Sequence, residues 1–127
     1  MRLLPVVLLA AFAMTACVKR TKPPGDMGVC FHVVPQKDGS MKYNKLVKAQ
    51  SLETCAANLE GLRLRFSRMT GGGFQNIYGA YQSNFLFLEK GGVQTSTSLE
   101  GPRFTALVRT GDGRLAIPGA MPQAPRQ

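Results

Sequence analysis

The amino-acid sequence predicts an α+β domain in which a single helix packs on a mainly antiparallel sheet, in the order β-β-α-β-β-β-β-β, with one disulfide. Three observations point there. One stretch, Ser51 to Met69, repeats apolar residues at helical spacing. The runs on either side are short, rich in β-branched and aromatic residues, and separated by glycine, proline or Asp-Gly turns. Two cysteines fall one in the first strand, Cys30, and one on the core-facing stripe of the helix, Cys55, where a bond would staple the helix across the strand.

The first strand is Val29 to Pro35 (VCFHVVP), with Cys30 and His32 on one face. Lys37-Asp38-Gly39-Ser40 turns the chain into its partner, Met41 to Ala49. There Lys42, Asn44 and Lys48 alternate with Tyr43 and Val47, so one face is expected to be wet and basic. Ser51 is a good helix N-cap, and Glu53 stands in the first turn, where the helix dipole favours an anion. Leu52, Cys55, Ala56, Leu59, Leu62 and Phe66 form the apolar stripe; Glu53, Asn58, Glu60 and Arg63 fall outside it. Leu62 to Phe66 also alternates with a strand's period, and Gly61 offers an earlier helix end.

Gly71-Gly72-Gly73 lacks a following Gly-Lys-Ser/Thr and is a corner, not a phosphate-binding loop. Beyond it come Ile77 to Gln82 and then Asn84 to Glu89 (NFLFLE), whose unbroken apolar run fits a central strand covered on both sides. The same Phe85 to Leu88 segment, left at an edge, would invite strand addition by a partner. Val93 to Leu99 places Val93, Thr95, Thr97 and Leu99 together, and Arg103 to Arg109 does the same for Phe104, Ala106 and Val108. Thr110-Gly111-Asp112-Gly113 is a hairpin turn into Arg114 to Ile117. The domain therefore runs over 28–118, and the Pro, Ala and Gln tail at 119–127 has little to bury.

Before the domain, Arg2 is followed by an apolar run from Leu3 to Ala13 and by small residues up to Cys17, the layout of a secretory signal over 1–16. A run this short falls below the roughly 20 apolar residues that a helix needs to span a bilayer. The cysteine after Ala16 resembles the lipobox of bacterial lipoproteins, with Met14 where leucine is usual. That resemblance covers only the first seventeen residues. It implies that Cys17 is diacylated and that the signal is cut just before it; cleavage after Ala13, at Ala11-Phe12-Ala13, is the alternative and leaves a secreted or periplasmic protein. Residues 17–27 then form a basic, proline-containing tether with Lys19, Arg20 and Lys22 beside Pro23-Pro24-Gly25. By the sorting rules of such lipoproteins, Val18 in place of Asp favours the outer membrane in a Gram-negative cell. With Cys17 assigned to lipid, Cys30 and Cys55 remain as one pair for an oxidising compartment; two buried free thiols acting as small apolar residues are the alternative.

The formal net charge of +9 favours anionic partners such as lipopolysaccharide, acidic glycan or DNA. Lys42, Lys45, Lys48, Arg63, Arg65 and Arg68 are the candidate anion-binding residues. Catalysis is poorly provided for: there is one histidine, the seven acids are scattered, and no serine lies in a Gly-x-Ser-x-Gly setting. His32 reads as a half-buried strand residue. No cofactor or small-molecule substrate is suggested, and two cysteines with one histidine do not make a metal site. The sequence thus favours a non-catalytic accessory lipoprotein that binds another envelope protein. A basic binder of anionic polymer is one alternative. The other is a hydrolase inhibitor using Gly71 to Gln75 or Lys90 to Gly92 as a protruding loop.

Overall fold

The computed structural model describes residues 20–112 and 114–118; the leader, Cys17 and the 119–127 tail lie outside them. Its elements are β1 (Val29–Pro35), β2 (Met41–Lys48), α1 (Leu52–Met69), β3 (Ile77–Tyr81), β4 (Asn84–Glu89), β5 (Gly92–Ser96), β6 (Phe104–Arg109) and β7 (Leu115–Ala116). The strands form one sheet in the order β2-β1-β3-β4-β5-β6-β7, and every neighbouring pair is antiparallel. The predicted α+β architecture is present, with the helix following β2.

The Ser51 hydroxyl caps α1 by accepting from the Thr54 N–H at 3.1 Å. Gly61 does not end the helix, which continues for two more turns because Leu62 and Leu64 remain partly buried. It stops at Gly71, whose φ of +84° is a left-handed conformation that glycine adopts without strain. There the Gly72 N–H reaches back to the Ser67 carbonyl at 2.9 Å.

Two cores lie on opposite faces of the sheet. The helix side holds Cys55, Ala56 and Leu59 of α1 against Cys30, Ile77, Tyr81, Leu86, Leu88, Val93 and Leu107. Gly79 is where α1 approaches most closely: a Cβ there would run into the Leu59 side chain and sit 3.0 Å from the Phe31 carbonyl oxygen. Strand alternation sends Phe31, Val33, Ala80, Phe85 and Phe87 to the other face, packed with Val29, Met41, Tyr43, Tyr78 and Leu99. Among the described residues no helix covers this side; large rings close it. Phe85 stacks near Tyr43 at 6.5 Å and lies 6.2 Å from Phe87, while Tyr78 meets Phe87 edge-on at 5.8 Å. Strand β4 is therefore buried on both faces and paired on both sides, so Phe85 to Leu88 offers no open edge.

Three local expectations are corrected. Leu99 lies beyond β5 and packs with the aromatic core, whereas Val93 belongs to the helix-side core. In β6 the buried residue is Leu107, while Phe104 is 67% exposed. A register shift between Val93 and Gln94 lets the two strands change phase, which simple alternation cannot anticipate. The segment before β1 is extended but not a free tether from Thr21 onwards. The Thr21 carbonyl accepts from the Leu99 N–H at 2.9 Å, and the Pro24 carbonyl accepts from the Ser83 N–H at 3.1 Å. Proline brings no N–H to be satisfied, and here the Pro24 carbonyl serves the β3–β4 turn.

Candidate functional site

The helix and the first strand meet at the disulfide. Cys30 and Cys55 are bonded, with Cα atoms 5.3 Å apart and both side chains fully buried. The bond joins β1 to the first turns of α1, in agreement with both the strand and the helix pattern of the sequence.

The six candidate anion-binding residues are divided among three places. Lys42, Lys45 and Lys48 are exposed along β2, the outer strand of the sheet. Lys45 pairs with Phe31 and Lys48 with Val29 on the aromatic side, whereas Lys42 pairs with Val34 on the helix side. Lysines in this position also guard an open strand edge against pairing with another chain. Arg65 and Arg68 are exposed on the helix. Arg63 is not an open cation at all.

Arg63 and Glu60, expected outside the apolar stripe, are 7% and 5% exposed. Arg63 Nε lies 3.1 Å from both Glu60 carboxylate oxygens, and its Nη2 donates to Oε1 at 2.6 Å. Arg109 of β6 donates to the same carboxylate and, through Nε and Nη2, to the Glu89 carbonyl at 3.2 and 3.0 Å. The Phe74 ring lies 4.1 Å from the Arg63 guanidinium carbon and 5.0 Å from that of Arg109. Burial pushes the Glu60 carboxyl up, but hydrogen bonds from Arg63 and Arg109 and their charges outweigh it and hold the pKa below the ordinary value. The sequence shows no sign of this cluster, because Arg109 is 49 residues away from Glu60.

Beside the cluster lies a cleft of about 370 Å³ lined by residues that include Glu53, Glu60, Leu107 and Arg114. It holds two carboxylates, but one of them is locked as an anion between two arginines and is a poor proton donor. His32 packs its ring against Phe66, 5.9 Å between centroids, and burial lowers its pKa, so it is mainly neutral near pH 7. Among the described residues no group of three or more His, Cys, Asp or Glu gathers in a way that could hold a metal ion. Asp38 and Asp112 serve their own turns: Asp38 accepts from the Ser40 hydroxyl at 2.6 Å, and Asp112 from the Arg114 N–H at 3.1 Å.

The strand directions give the domain two ends. The β3–β4 turn, the start of β1, the helix N-terminus and the connection after β5 lie at one; Lys37 to Ser40, Gly71 to Gly73 and Lys90-Gly91 lie at the other. No protein-family profile, curated protein or solved structure matches this chain.

Proposed function

We propose that the chain is a non-catalytic accessory lipoprotein of the bacterial envelope, which holds its α+β domain on the periplasmic side of a membrane and binds another protein there. The observation that carries the reading is the bonded pair Cys30–Cys55 in the core. It suits an oxidising compartment and leaves Cys17, directly after the apolar leader, as the cysteine available for acylation. Among the described residues no helix is long and apolar enough to cross a membrane; on this reading the acyl chains on Cys17 hold the protein to the bilayer. The loops at the end away from Thr21 are the ones free to meet a partner. A photo-crosslinking residue placed at Lys37 or Gln75, both exposed, is expected to capture one specific envelope protein in intact cells. The Cys17→Ser variant should lose that adduct and leave the membrane fraction. Adducts spread over many abundant proteins, or unchanged by Cys17→Ser, would contradict the reading.

A further inference from the structure

The N-terminal strap has a consequence for how the domain stands on a membrane. Thr21 is fixed by its own N–H and hydroxyl, each 2.8 Å from a different carboxylate oxygen of Glu100, and by the Leu99 N–H on its carbonyl. Only Val18, Lys19 and Arg20 separate it from Cys17. Those four residue steps span at most about 14 Å at full extension. A lipid-anchored domain would therefore rest against the bilayer with this one end.

That end carries a cleft of about 360 Å³ lined by Arg20, Lys22, Pro23, Ser83, Thr97 and Ser98. Two cations and the hydroxyls of Ser83 and Thr97 line it, a donor set that suits phosphate oxygens, while the Ser98 hydroxyl is itself buried. Arg20 and Lys22 are both exposed. Glu100 is the acid nearby: hydrogen bonds from the Thr21 N–H and hydroxyl, with a contribution from Arg20, keep it ionised below its ordinary pKa. Its two carboxylate oxygens are taken up by Thr21, and Lys22 forms no ion pair with an acid among the described residues. Lys19 adds a third cation in the spacer.

We infer that this cleft seats the phosphate of an anionic phospholipid headgroup, so that the domain docks flat on the bilayer in one orientation. The inference rests on the lipid-anchor reading above and adds a face, a cleft and a headgroup class to it. The opposite loops then point away from the membrane.

The test uses the full protein purified from membranes, its acylation read first by mass, in vesicles of phosphatidylcholine alone or with phosphatidylglycerol. A photo-crosslinker at exposed Thr97 should form lipid adducts that rise with phosphatidylglycerol, while one at Lys37 should not. The Arg20→Ser/Lys22→Ser variant should weaken the phosphatidylglycerol dependence about 25-fold, from roughly fivefold per cation near the surface. Both residues lie outside the cores, so the variant's folding is checked by unchanged thermal unfolding. Equal yields at Thr97 and Lys37, or no loss in the double variant, would overturn the docking while leaving the anchor intact. A protein without acyl chains would overturn both.

Discussion

Replacing Glu60 with alanine is expected to lower the unfolding free energy by about 3–5 kcal/mol, the loss seen when one partner of a buried ion pair is removed. The reason lies with what remains. Arg63 is 7% exposed and would keep its charge with no carboxylate to meet it, and Arg109 would lose its link from β6 to the helix. Urea unfolding at pH 7 measures this directly. The pH dependence follows from the sign of the Glu60 shift. Its folded pKa lies below the unfolded one, so the stabilisation is complete above the unfolded carboxylate pKa of about 4.3 and is lost as pH falls through the folded value. In Glu60→Gln, stability should fall less steeply on acidification than in the natural protein.

Removing the disulfide is the other large effect. Cys30 and Cys55 close a loop with a sequence separation of 25 residues, for which the loss of unfolded-chain entropy amounts to about 3–4 kcal/mol. The Cys30→Ala/Cys55→Ala variant suits the test because both positions are fully buried and alanine introduces no unpaired polar atom. Its denaturation midpoint should fall well below that of the natural protein. Reductant should shift the natural protein towards the variant and leave the variant unmoved.

The two effects differ in what the sequence discloses about them. The disulfide could be read in advance because assigning Cys17 to lipid leaves one pair, and the helical stripe aims Cys55 inward, towards the strand that carries Cys30. β1 and β4 are readable to the residue, and β2, β3 and β6 to within one, because turns and apolar runs are local signals; β5 and β7 are shorter than their patterns suggest. The Glu60–Arg63–Arg109 cluster was not. Charged side chains at helix positions facing a sheet look like solvated ones until a distant strand supplies the second arginine. The same limit hid the shift at Val93–Gln94, the pairing of Leu107 with buried Val93, and the separate packing of Leu99. The basic residues show the reverse. Their spacing hinted at one surface, yet the fold buries Arg63 and turns Lys45 and Lys48 to the side opposite the helix. The strap at Thr21 and Pro24 looked like a tether because prolines and cations usually mark one. Its backbone bonds to Leu99 and Ser83 depend on loops that are distant in sequence.

One measurement reaches the centre of the account: the chemical state of the three cysteines in protein isolated from its native membrane, read by peptide mass without reduction. The account predicts acyl chains on an N-terminal Cys17 and a cross-linked peptide joining Cys30 to Cys55. Unmodified Cys17 together with free thiols at Cys30 and Cys55 would contradict it.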